Sequence, residues 1–167
     1  MSAHLRYTVS LPDPATHRYQ VRCELPGTAT QALIFRLPAW IRGSYLVRDL
    51  AKHVFDVRAW RGDRSVAIER LDKSSFAVPA GEGALRLEYT VNAFDESVRK
   101  AFLDTRRGFF NGSSLFYCPD GYRDGRFEVM LEAQRDAAYR DWKVATAMPA
   151  IEVNAQGFGL YLSLIHI

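Results

Sequence analysis

L-R-L-E-Y-T-V-N, residues 85–92, is the stretch whose reading decides the fold. Leu85, Leu87, Tyr89 and Val91 alternate with Arg86, Glu88, Thr90 and Asn92, so successive side chains divide between an apolar and a polar side. That period of two belongs to a strand with one face in a core and one in water; an amphipathic helix repeats near 3.6. The same alternation recurs outward in both directions: Leu5, Tyr7 and Val9; Tyr19, Val21, Cys23 and Leu25; Leu33, Phe35 and Leu37; Phe55, Val57 and Ala59; Val66 and Ile68; Phe127, Val129 and Leu131; Trp142, Val144 and Thr146. Turn residues punctuate these runs at Pro12-Asp13-Pro14, Pro26-Gly27, Arg61-Gly62-Asp63, Pro79 to Gly83, Asn111-Gly112, Pro119-Asp120-Gly121 and Asp124-Gly125. Many short strands separated by frequent turns predict an all-β antiparallel sandwich with at most one short helix, which Ser44 would cap in the Ser44 to His53 segment. Asn111-Gly112, flanked by aromatic and aliphatic residues, reads as a hairpin turn.

With 167 residues, 48% of them hydrophobic and 25% charged, the chain has material for one folded domain and not two. Its net charge of +3 comes from bases interleaved with acids, and the longest basic cluster is Arg106-Arg107. No phosphate-tracking stripe results, so nucleic acid is not an expected partner. No run approaches the ~20 apolar residues of a membrane span and no leader follows Met1, so the sequence predicts no membrane partner and a cytoplasmic protein. Cys23 and Cys118 form no C-x-x-C pair and read as buried thiols.

Catalytic motifs are missing. His4, His17, His53 and His166 offer no H-E-x-x-H, so no metal-ligating residue is expected in this chain. Gly43-Ser44 and Gly112-Ser113-Ser114 lack the second glycine of a G-x-S-x-G elbow, and no G-x-x-x-x-G-K-[ST] phosphate loop occurs. Two stretches carry more specified bulk than connections need: L-P-A-W-I-R-G-S-Y-L-V-R-D-L at 37–50, and D-E-S-V-R-K-A-F-L-D at 95–104 followed by G-F-F-N-G-S-S-L-F at 108–116.

These stretches, with L-D-K-S-S-F at 71–76, W-K-V-A-T-A-M-P at 142–149 and G-F-G-L-Y at 157–161, resemble in order and spacing the N-terminal region of the glycyl aminopeptidase family of zinc metallopeptidases. The resemblance runs from about Leu5 to Tyr161. It implies an N-terminal β-sandwich, noncatalytic alone, ahead of a thermolysin-like domain that carries H-E-x-x-H and commonly a PDZ domain. It also implies zinc in the full-length protein and peptide as its substrate, with a preference for small N-terminal residues such as glycine. Arg42 stands where the family usually has proline. Residues 1–161 are then the domain, and 162–167 read as a non-native or truncated tail, or else as a last strand.

Under this resemblance Trp40, Tyr45, Arg48 and Asp49 are the candidates for packing against the missing catalytic domain, the alternative being a loop that covers the sandwich's own core. Asn111, Gly112, Ser113 and Ser114, with Tyr45 and Arg99 near the rim, are the candidates for the substrate cleft. Arg99 could grip a carboxylate in bidentate fashion. The rival reading is a self-contained module binding peptide or carbohydrate, which would gather Trp40, Trp60 and Trp142 on one surface.

Overall fold

A computed structural model of the chain describes residues 5–41 and 44–163. The 85–92 alternation becomes the strand β8, and its neighbours follow. In chain order the strands are β1 (Leu5–Ser10), β2 (Arg18–Leu25), β3 (Leu33–Arg36), β4 (Val54–Arg61), β5 (Arg64–Val66), β6 (Glu69–Arg70), β7 (Ser75–Val78), β8 (Leu85–Asn92), β9 (Phe102–Leu103), β10 (Gly108–Phe109), β11 (Cys118–Pro119), β12 (Phe127–Leu131), β13 (Ala150–Val153) and β14 (Gly159–Ser163), with one helical turn, α1 (Gly112–Leu115), after β10. One sheet has eight strands in the order β13-β14-β12-β1-β2-β8-β4-β5. A second has four, β11-β3-β7-β6, and β9 with β10 makes a small third. All ladders are antiparallel except β1 with β12, which run parallel, so the sandwich is mixed at that one pair.

The core lies between the two larger sheets. The odd-numbered positions of β1, β2 and β8 and the first two of β12 are buried: Leu5, Tyr7, Val9, Tyr19, Val21, Cys23, Leu25, Leu85, Leu87, Tyr89, Val91, Phe127 and Val129, with Leu131 half-buried beside them. Phe35, Phe76, Val78, Tyr117 and Cys118 close it from the other sheet. Aromatic rings dominate the seam: Phe76 and Tyr89 each meet Tyr117 edge-on, and Tyr7 stacks on Phe116 at 4.3 Å between centroids. On the opposite, watery face of the large sheet Arg6 pairs with Glu128 and Arg22 with Glu88, cross-strand ion pairs that suit a solvated surface.

Three local expectations fail. In β4 the buried residues are Val54, Ala59 and Arg61, not Phe55, Val57 and Ala59 as one face. The register slips between Phe55 and Arg58, where Asp56 has a φ of +55°, and a bulge of this kind reverses the inward parity. Trp142, Val144 and Thr146 belong to no ladder. The helical turn in the 44–53 segment is a 3-10 turn at Leu50–His53, preceded by Asp49 without a side-chain cap, so Ser44 caps nothing. β14 runs through Leu162 and Ser163, while Arg42, Gly43 and the tail at 164–167 lie outside the described residues, as do His4 and His166.

Candidate functional site

Pairing of Arg18 with Asn92 and of Val54 with Val91 brings the start of β2, the end of β8 and the start of β4 to one end of the large sheet. The loops that leave there carry the specified bulk. Leu37 and Leu50 are buried and anchor the two ends of the first loop. Between them Trp40 Nε1 donates to Ser44 O at 2.8 Å, Ser44 Oγ donates to Leu46 O at 3.0 Å, and Arg48 Nε donates to Ser44 Oγ at 3.3 Å. The Arg48 backbone N–H closes the loop on Ala39 O at 2.6 Å. Ser44 is therefore the buried hub of a self-bonded loop. Its large side chains point out: Trp40 is 55% exposed, Leu46 65%, Val47 75%, and Tyr45 fully. Asp49 reaches Lys73 at 3.6 Å.

Asn111-Gly112 is not a hairpin turn. Asn111 is the N-cap of α1, its Oδ1 accepting the Ser114 N–H at 3.1 Å and the Ser113 hydroxyl at 2.5 Å. Asparagine serves both geometries because its short carbonyl can stand in for a backbone acceptor. Here the tertiary contacts choose the helix. Tyr89 Oη donates to Leu115 O at 2.7 Å and accepts the Tyr117 N–H at 3.3 Å, while Tyr7 Oη donates to Tyr117 O at 2.8 Å. Two hydroxyls from the floor of the large sheet thus tie down the segment that leaves α1. Burial pushes both hydroxyls well above the ordinary tyrosine range, so they remain donors.

Tyr19 and His17 secure the neighbouring hairpin, a role the sequence does not signal. Tyr19 Oη donates to Phe102 O at 3.0 Å, and His17 Nδ1 lies 2.6 Å from Leu103 O. A Cβ at Gly108 would sit 2.5 Å from Tyr19 Oη, so only glycine lets β10 pass this close.

The four candidate residues 111–114 are brought together at the α1 turn, and three of them line two recesses. Asn111 and Gly112 line a cleft of about 910 Å³, floored by Val9 and Phe116 and flanked by Trp142 and Met148. Ser114, buried, faces a small crevice with Leu50, His53, Asp95 and Lys100. Ser113 is half-buried. Tyr45 and Arg99, both exposed, do not line the cleft. In the crevice the His53 pKa is held below its ordinary value, first by burial and then by Lys52 and Lys100. The Asp95 carboxyl is held at about 2, chiefly by its hydrogen bond from the Lys100 ammonium and then by the Ser97 N–H.

Among the described residues no three His, Cys, Asp or Glu side chains gather into a group that could hold a metal ion, so this part of the chain does not fit zinc ligation. Cys23 and Cys118 are buried free thiols, and burial pushes the Cys118 thiol up to about 11. Thiols of that kind are poor nucleophiles at neutral pH. The three tryptophans share no surface: Trp40 is on the exposed loop, Trp60 lies beneath Arg86 on the watery face of β4, and Trp142 is half-buried beside the cleft. No described helix is long and apolar enough to cross a membrane.

Residues 6–163 match the peptidase M61 N-terminal domain. A crystal structure of an aminopeptidase N family protein from Idiomarina loihiensis superposes with a TM-score of 0.90 at 30% identity, over 97% of this chain and 27% of that one. An M1 zinc metallopeptidase from Deinococcus radiodurans superposes with a TM-score of 0.52 at 11% identity, over 96% of this chain and 37% of that one, a likeness of fold. The chain thus spans about a quarter to two fifths of the length of these solved relatives. No curated protein matches the sequence.

Proposed function

Because the chain belongs to the peptidase M61 N-terminal domain family, we propose that it is the noncatalytic sandwich of a zinc-dependent aminopeptidase of the glycyl aminopeptidase kind, holding a catalytic domain against its loop end and forming one wall of the peptide cleft. The observation that carries this reading is the 40–47 loop. Four large side chains face water there, on a backbone whose shape is set by its own hydrogen bonds. Exposed apolar groups close together mark an interaction surface, and side chains and backbone already held by hydrogen bonds at Trp40, Ser44, Leu46 and Arg48 lose little further entropy when they dock. A loop serving the sandwich's own core would turn Tyr45, Leu46 and Val47 inward.

The α1 turn supports the cleft role. With Asn111 Oδ1 committed to Ser113 and Ser114, its Nδ2 is left to donate, which suits a peptide carbonyl. Ser113 Oγ donates its hydrogen bond to Asn111 Oδ1 and keeps lone pairs that suit an ammonium group. Zinc, acting as Lewis acid on the scissile carbonyl, would come from residues beyond this chain.

The test uses the longer polypeptide encoded with this domain. Tyr45→Asp with Val47→Asp should leave the stability of the 167-residue chain unchanged, since both side chains are exposed, but loosen the domain in the enzyme and lower activity. Asn111→Ala should raise KM about tenfold, the worth of roughly one net hydrogen bond. Unchanged stability and kinetics in the longer enzyme for all these variants would sink the reading.

A further inference from the structure

The 142–146 segment is written as a strand and is not one. Trp142, Val144 and Thr146 alternate with other residues, and neither turn nor bend interrupts the segment. Trp142 and Val144 are half-buried while Lys143 and Ala145 are exposed, the one-sided burial of a strand over 142–145, and Thr146 beyond them is exposed. Its backbone is almost without partners. Val144 N–H donates to Gln156 O at 2.8 Å and Trp142 N–H donates to Tyr139 O at 3.1 Å. Among the described residues the N–H groups of Lys143, Ala145, Thr146 and Ala147 donate to no other protein group, and no carbonyl from Trp142 to Ala147 accepts from one. Backbone polar groups in an extended segment beside an apolar surface are an open edge for another strand.

The surface beside it is apolar for a topological reason. Eight strands face four, and Val9 of β1, Leu131 of β12 and Leu162 of β14 line the cleft that is left. Phe110 and Phe116 line it as well, and the 142–149 arm is the far wall of its 910 Å³. Ala145, Thr146 and Ala147 present short side chains, which let another backbone come close.

We propose that the 143–147 arm is an edge strand completed by an extended segment of the downstream part of the same longer polypeptide, whose alternate apolar side chains pack beside Trp142 and Met148 at the arm's side of the cleft and leave Asn111 to the substrate. This rests on the reading of the chain as an N-terminal domain. The occupant is argued from length: in the Idiomarina protein a domain of this fold, superposing at a TM-score of 0.90, is only 27% of the chain, so most of that polypeptide remains to cover exposed surface. The recognition is β-augmentation, in which main-chain hydrogen bonds hold the segment and the pockets select its side chains. The surface is separate from the 40–47 loop, so the two dockings can be scored apart.

Hydrogen exchange read by mass spectrometry on peptides covering 142–148 and 44–49 tests the proposal, with β8 amides as the control for folding. In the 167-residue chain the arm should exchange close to the unprotected rate, and in the longer polypeptide about 100-fold more slowly, as ladder amides do. Ala145→Pro removes one of the open N–H groups. It should leave the chain's Tm unchanged and abolish the arm's protection in the longer polypeptide, whereas Ala145→Val should preserve it. If residues 44–49 slow in the longer polypeptide and the arm stays fast, the arm proposal is wrong and the domain reading stands. If neither slows, or the source frame encodes no further domain, both fall. Protection of the arm in the chain alone that grows with concentration would assign the edge to a second copy and overturn the proposal.

Discussion

Replacing three buried tyrosines one at a time by phenylalanine separates hydrogen bonding from packing in the platform beneath α1. Tyr89→Phe strands two buried backbone groups, the Leu115 carbonyl and the Tyr117 N–H. At about 1–3 kcal/mol for each unmet group the loss should be roughly 2–6 kcal/mol. Tyr7→Phe strands one, the Tyr117 carbonyl, and should cost about 1–3 kcal/mol. Tyr117 is the counter-case, because its own hydroxyl is buried with no hydrogen-bond partner. Tyr117→Phe removes a desolvated group that gains nothing, and should be neutral or stabilise by about 1 kcal/mol. Urea unfolding with a shared m-value would rank the three by midpoint. Equal losses in all three, or a loss at Tyr117 as large as at Tyr89, would show that ring packing and not hydroxyl bonding holds the α1 exit. The raised pKa values of Tyr7 and Tyr89 add a sign: the folded chain keeps these protons where the unfolded chain releases them. Stability is therefore whole below about pH 10 and declines above it, less so in either Phe variant.

The His53 pKa is depressed by burial and by Lys52 and Lys100, against the opposing pull of Asp95 and Asp49. The unfolded chain then binds the proton more readily, so stability is whole above about pH 6.5 and falls as pH drops below it. His53→Gln should flatten that slope between pH 7 and 5; an identical profile in urea titrations would contradict the assignment. At Gly159 φ is +142° and an added Cβ would lie 2.2 Å from Glu152 O, so Gly159→Ala should cost about 1–3 kcal/mol and fray β13 from β14. A thermal midpoint equal to that of the parent would count against it.

How far the sequence reached depended on whether one strand's chemistry was enough. Alternation found β1, β2, β8 and β12 with the correct faces, because each has one side in the core and no interruption. It misread β4, where Asp56 inserts a residue that only pairing with β8 reveals. The two-residue strands β6, β9, β10 and β11 are too short to show a period at all. At the site, the residues of α1 were picked out but given the wrong backbone. Asn111 fits a hairpin turn or a helix cap equally well by itself, and no neighbour in sequence chooses between them.

What the sequence by itself determined is the all-β class, the inward side chains of the longest strands and, through several motifs in register, the family. What only the tertiary structure decided is which polar groups meet. Tyr7 lies 110 residues from the carbonyl it holds, and Tyr19 lies 83 from its own. Hydrophobic burial follows from a local period, but the partner of a buried hydroxyl depends on which strands the sheets place opposite one another, and that is settled only when the whole sandwich closes.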